Sequence, residues 1–182
     1  MHKNKEIEFK TFISEEQYSR LISVFQLDNN IFEQTNYYFD TEDSKLLNDK
    51  TVLRIRQKCC NYKLTKKTRA ELGADETHLF LSKEKALELL ANGFDANIIG
   101  IPYFVKNVCN LTTYRASTPY KNGVLFFDKS VYYNTVDYEI EYEVDDINEG
   151  FRDFNRFLEE YNIEFKESIR KSKRAYDSLK KK

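Results

Sequence analysis

The chain contains no tryptophan, two prolines, five glycines and three cysteines among 182 residues. So few glycines and prolines exclude collagen-like, low-complexity and long-linker architectures. Cys59 and Cys60 are adjacent and Cys109 stands alone, so there is no disulfide framework and no C-x-x-C metal spacing. No apolar run approaches the roughly 20 residues needed to cross a bilayer. The first residues, Met1-His2-Lys3-Asn4-Lys5, lack the pattern of a secretory leader. A reduced, cytoplasmic setting is therefore expected. Charge of one sign is also missing in bulk: 29 basic and 30 acidic side chains leave a net charge of -1. Neither a membrane nor a specific nucleic acid is expected as partner on that ground. The only histidines, His2 and His78, have no Ser, Cys or Asp at nucleophile spacing.

What the chain does have is apolar residues at 41% and aromatics at 15%, enough to build a core. Its length fits one domain across residues 1–182. Charged residues make up 32%, and they alternate. A β-strand points successive side chains to opposite faces. Glu6, Glu8 and Lys10 thus share one face of a strand whose other face carries Ile7 and Phe9. Glu139, Glu141 and Glu143 repeat that pattern near the other end. Between them, Arg54 and Arg56 share a face, as do Lys63, Thr65 and Lys67. Solvated outer faces would explain any one of these stretches. Acidic strands at both ends with basic strands between them point to a site.

Taken in order, a strand is expected over about 5–13. Ser14 then caps a helix over about 15–26, with Gln17 at the capping-box position. Strands follow at 34–39, 52–58, 61–68 and 76–81, with a short helix at 44–49. Ser82 caps a helix over 83–92, and Gly93 fits the left-handed C′ position. Residues 94–107 read as irregular. Strands are expected at 111–117, 124–129 and 137–144, and Lys121-Asn122-Gly123 reads as a tight turn needing positive φ. Asp146 and Glu149 open a helix carrying Phe151, Phe154, Phe157, Leu158 and Tyr161. A last helix holds Ile169, Ala175, Tyr176 and Leu179, and a frayed end is expected at Lys180-Lys181-Lys182. About eight strands on short links, with helices inserted and appended, make an α+β chain with an antiparallel sheet. Periodicity alone leaves open whether the sheet closes.

These residues carry a resemblance. Glu6-x-Glu8-x-Lys10, Tyr38-Phe39-Asp40-Thr41, Leu53-Arg54-Ile55-Arg56 and Leu64-Thr65-Lys66-Lys67 come in that order. Glu76-Thr77-His78, Leu111-x-Thr113-x-Arg115, Asp128 with Tyr132, residues 137–143 and Lys171-Ser172-Lys173 follow. The ordered set resembles the CYTH family, the triphosphate tunnel metalloenzymes, in its short single-domain bacterial form. The resemblance implies an eight-stranded antiparallel closed β-barrel, a triphosphate tunnel, with flanking and C-terminal helices. Lys66 and the Thr68-Arg69 pair depart from the family pattern, which usually has an apolar residue and an acidic-proline pair there.

By resemblance, phosphate is held by Lys10, Arg54, Arg56, Lys67 and Arg115, with Lys63 on the same face as Lys67. At the C-terminus Lys173 is the contributor, and Lys171 is the competing register. Guanidinium groups suit phosphate because they bind it through two parallel hydrogen bonds. Glu139 and Glu141, with Glu143, Glu8 and Glu76, are the implied metal ligands, since hard Mg²⁺ or Mn²⁺ ions prefer carboxylate oxygens. Glu6, Glu8 and Lys10 form the implied catalytic group; a second ion or one of the two carboxylates would activate water. The implied function is metal-dependent hydrolysis of inorganic or organic triphosphate, such as thiamine triphosphate or a nucleoside triphosphate. The alternatives are an adenylyl cyclase of the class IV type and a triphosphate-binding module without turnover. A small-molecule triphosphate is the expected partner of a monomer or homodimer.

Overall fold

A computed structural model describes residues 2–71 and 73–179, with the backbone alone for 2–5. The expected fraying at 180–182 and the side chain of His2 lie outside the described residues. The strands are β1 (His2–Ile13), β2 (Phe32–Asp40), β3 (Val52–Lys58), β4 (Asn61–Arg69), β5 (Ala74–Leu81), β6 (Phe94–Asp95), β7 (Phe104–Tyr120), β8 (Gly123–Tyr132) and β9 (Thr135–Val144). The helices are α1 (Glu15–Val24), α2 (Lys45–Asn48), α3 (Lys83–Asn92), α4 (Ile147–Glu160) and α5 (Lys171–Leu179). Strand order runs β2-β3-β4-β5-β1-β9-β8-β7-β6, and β2 also pairs with β7. That ladder is circular: it is the topology of a closed antiparallel barrel of eight strands, with the two-residue β6 added to β7. Among the described residues no helix is long and apolar enough to cross a membrane.

The helix starts follow from their caps. Ser14 accepts from the Gln17 N–H at 3.1 Å, and the Gln17 side chain accepts from the Ser14 N–H at 2.9 Å. Ser82 accepts from the Lys85 N–H, and Asp146 from those of Asn148 and Glu149. Each bond satisfies donors that the first helical turn leaves open.

The structure corrects four expectations. First, residues 94–107 are irregular only at 100–103; the rest form β6, a 3₁₀ turn at Ala96–Ile99 and the start of β7. Second, Gly93 has φ +71° but ψ -175°, outside the left-handed helical region, because the chain enters β6 directly. A Cβ there would lie 2.4 Å from the Val105 carbonyl oxygen. Third, the turn before β8 places its positive φ on Lys121, at +51°. Gly123 already belongs to β8, and a Cβ on it would meet the Glu143 carbonyl oxygen at 2.5 Å, so close approach selects glycine there. Fourth, Ile169 precedes α5 and is exposed.

The chain divides into two compact units. One holds Gln34–Thr112 with the chain ends through Lys5 and from Arg170; the other holds Glu6–Glu33 and Thr113–Ile169. The first has its own apolar core, with Phe39, Leu53, Ile55, Leu64, Ile99 and Val105 at its centre. The second is built around Leu21, Leu125, Phe127, Ile140, Tyr142 and Phe157. Phe157 of α4 is fully buried and its ring meets those of Phe25, Tyr120, Phe127 and Tyr161. Burying one such side chain contributes roughly 1.5–3 kcal/mol.

Candidate active site

In the second unit the registers sort the side chains by face. Glu8, Lys10 and Phe12 of β1 oppose Glu143, Glu141 and Glu139 of β9. On the other side of β9, Glu139 opposes Asp128 and Glu141 opposes Phe126 of β8. Directly opposed residues share a face. One face is therefore acidic, while Phe9, Ile13, Ile140, Tyr142 and Phe127 line the other and enter the apolar core.

The acidic face gathers into a buried trio. Asp128 is 0% exposed, Glu139 1% and Glu141 9%. One carboxylate oxygen from each lies within 4.8 Å of the others. Arg115 of β7 joins them. Its Nε and Nη2 donate to the two oxygens of Asp128 at 2.7 and 2.6 Å, and Nη2 also donates to Glu141. Its guanidinium sits 4.4 Å from the centre of the Phe126 ring. Ser168 Oγ donates to Glu139 Oε2 at 2.6 Å. The stretch carrying Ser168 is fixed to β1: Thr11 and Lys166 exchange two hydrogen bonds, and Thr11 bridges to Glu167. Glu8 accepts from Lys10 Nζ at 2.8 Å.

Burial pushes the Glu141 carboxyl above its ordinary range; the Arg115 charge opposes this, while Glu8 and Asp128 reinforce it. The Arg115 guanidinium is raised, because its two carboxylate partners outweigh the cost of burial. Three buried carboxylates gathered around the Arg115 guanidinium are costly to keep ionised. Oxygen donors of this kind fit a divalent cation, which would offset the remaining charge. Asp128, Glu139 and Glu141 are the residues that could hold it.

In the first unit the same sorting gives a basic face. Arg54 opposes Thr65 and Tyr38, and Arg56 opposes Lys63 and Asn36. Lys67 opposes Glu76, and Thr65 opposes His78. Glu76 balances this face, 3.6 Å from Arg54 Nη2 and 4.0 Å from Lys67 Nζ. Asn36 Oδ1 accepts from Arg56 Nε at 2.9 Å. The hydroxyl of Thr65 is fully enclosed and has no hydrogen-bond partner among the described residues. Burial raises the Tyr38 phenol, against the pull of Arg54, Arg56 and Arg174. Lys66 points to the opposite face and donates to the Gly100 carbonyl at 3.4 Å.

Of the residues singled out from the sequence, Arg54, Arg56, Lys63, Lys67 and Glu76 come together in the first unit. Glu8, Lys10, Arg115, Glu139 and Glu141 come together in the second. Glu143 shares their face but is exposed, and Glu6 is half-buried. Lys173 is exposed and pairs with Asp177 at 2.8 Å, whereas the next residue on α5, Arg174, is 7% exposed. Sequence reasoning placed Asp128 in the family pattern without giving it a metal-binding part. It passed over Ser168, Asn36 and Arg174. For Asp128 the signal was present, since it shares one strand face with Phe126 and Ser130.

The CYTH domain pattern matches residues 4–176. The chain belongs to the CYTH family. Over all of its length it is 33% identical to YjbK of Bacillus subtilis (strain 168), provisionally described as a triphosphatase, and 99% of YjbK is covered. A Bacillus halodurans crystal structure, provisionally described as an adenylate cyclase, superposes with a TM-score of 0.87 at 33% identity. That match covers 96% of this chain and 98% of the other. A Hippeastrum protein, provisionally described as an adenylyl cyclase with a dominant triphosphatase activity, gives a TM-score of 0.78 at 20% identity. It covers 95% of this chain and 96% of its own, and shares the fold. Triphosphatase and cyclase-like descriptions thus both occur among the relatives of this CYTH chain.

Proposed function

We propose that this CYTH protein is a divalent-metal-dependent triphosphatase, working with Mg²⁺ or Mn²⁺. The observation that carries the reading is the buried trio Asp128, Glu139 and Glu141 around Arg115. A divalent ion held there would neutralise phosphoryl oxygens and lower the pKa of a bound water. Arg115 holds Asp128 and Glu141 in place, and its charge opposes the rise that burial imposes on Glu141. Arg54, Arg56, Lys63 and Lys67 offer donors for phosphate oxygens, and Lys10 adds an ammonium beside Glu8. On α5 we assign the phosphate contact to the buried Arg174 in preference to Lys173, whose ammonium is taken by Asp177. Glu8, or Glu6, accepts the proton of a water that attacks the terminal phosphorus in line; the bond from that phosphorus to the bridging oxygen breaks, the diphosphate departs as leaving group, and orthophosphate forms with no covalent enzyme intermediate. The YjbK description supports hydrolysis. The Bacillus halodurans description supports a second reading on the same residues, cyclisation of ATP.

The test is phosphate release from inorganic triphosphate, ATP and thiamine triphosphate, with Mg²⁺ or Mn²⁺, for wild type and Glu139→Gln. Metal-dependent release that the substitution abolishes is expected. Unchanged release by Glu139→Gln would overturn the metal site. Cyclic AMP without free phosphate would turn the assignment to the cyclase.

A further inference from the structure

In the first unit β3 and β4 are joined by a loop of two residues, Cys59 and Cys60, just beyond the Lys58–Asn61 pair that ends their ladder. Both thiols are free and exposed. Loops of this length favour Gly, Asn or Asp, because their central residues take positive φ. Cys59 has φ +51°, where its Cβ is crowded against the following carbonyl. The turn geometry therefore gives no reason for cysteine at either position, and neither side chain enters the apolar core of the unit. The third thiol, Cys109, is buried, so the exposed sulfur of the chain is concentrated at this one tip.

Two sulfurs on adjacent residues select a soft ligand. A tetrahedral Zn²⁺ site takes four ligands. Among the described residues the one group of three or more metal-ligating side chains is Asp128, Glu139 and Glu141, which leaves the two cysteines without further donors. A direct disulfide is disfavoured for another reason. Cα atoms of neighbouring residues on a trans peptide lie about 3.8 Å apart, whereas disulfides usually span about 4.4 Å or more. A single bridging atom lengthens the span between the sulfurs and lifts that restriction. Trivalent arsenic is thiophilic, and its pyramidal bonds hold two sulfurs on one side at nearly a right angle. A linear, two-coordinate copper(I) would need them on opposite sides. We propose that Cys59 and Cys60 together bind a trivalent arsenical. With an arsenical of the form R–As=O, both S–H bonds break and two As–S bonds form. The oxygen leaves with the two protons as water, and no electron is transferred. The inference stands apart from the triphosphatase reading.

The probe is phenylarsine oxide, added to the intact, reduced protein. A chromogenic thiol reagent counts the reactive thiols of the native state, and mass spectrometry of the intact chain counts bound arsenic. One equivalent should remove both exposed thiols and add one arsenical per chain. An excess of a monothiol should leave the adduct in place, and a dithiol should release it. Cys59→Gly, which suits the positive φ, and Cys60→Ser each keep one of the two sulfurs. Each should hold the probe about a hundredfold more weakly, because the second As–S bond gains from being intramolecular. Cys109→Ala should bind as wild type does. The inference is overturned if wild type does not retain the probe against the monothiol, or if either single variant retains it as wild type does. It is equally overturned if Cys109→Ala loses it.

Discussion

Arg115 grips Asp128 with both prongs of its guanidinium, Nε on one carboxylate oxygen at 2.7 Å and Nη2 on the other at 2.6 Å. The Asp128 side chain is 0% exposed and that of Arg115 12%, so water does little to screen the pair. Its energetics differ in kind from the exposed Lys45–Asp43 pair, whose side chains are 48% and 63% exposed.

Arg115→Met keeps an unbranched apolar stem and removes the guanidinium with its charge. The variant leaves buried carboxylates without their guanidinium, and unfolding in urea at neutral pH should show a loss of about 3 kcal/mol or more. Lys45→Met should change stability by less than about 1 kcal/mol. Equal losses in the two would show that the buried pair has no special weight.

Ser168 touches one oxygen of Glu139 and orients the carboxylate. In Ser168→Ala the metal dependence of phosphate release should shift to about tenfold higher Mg²⁺ or Mn²⁺, while kcat at saturating metal changes less. A metal titration of activity reads this directly. An unchanged titration curve would separate Ser168 from the metal site.

Burial, with the Asp40 charge adding to it, pushes the Cys109 thiol from 9.0 to about 12. Cys59 and Cys60 are exposed at the β3–β4 turn. A thiol reagent at mildly alkaline pH should therefore modify those two quickly and Cys109 only on unfolding. Between the two pKa values the unfolded chain has released a proton that the folded chain keeps. Cys109 thus makes stability fall as pH rises from 9.0 towards 12, an effect that Cys109→Ala should lessen in urea titrations at alkaline pH.

The strand faces were legible because charge and apolarity alternate with a period of two. Arg54 and Arg56, or Glu139 and Glu141, needed only that rule. Caps were legible for a similar reason: Ser14 and Gln17 satisfy backbone donors that are close in sequence. Less legible were features set by neighbours distant in the chain. Phe104–Tyr120 is one long strand because its partners hold it, whereas its first half has weak alternation. Gly123 is selected by the Glu143 backbone across the ladder, although a local turn rule had offered another reason for it. Lys173 and Arg174 differ by about 100° around α5, and only the start of that helix decides which of them is buried. Ser168 carries no motif; Thr11, more than 150 residues away, helps bring its segment to Glu139.

The circular ladder has a consequence for how the protein behaves in crowded company. A strand at the margin of a sheet offers a row of unsatisfied amides on which another chain can build. Here β2 takes both β3 and β7 as neighbours, so the long strands are flanked on each side, and the margin shrinks to the two residues of β6. A chain so rich in β-structure would otherwise be an easy template for fibrils. The pairing of its second strand with its seventh removes the edge on which such a template would form.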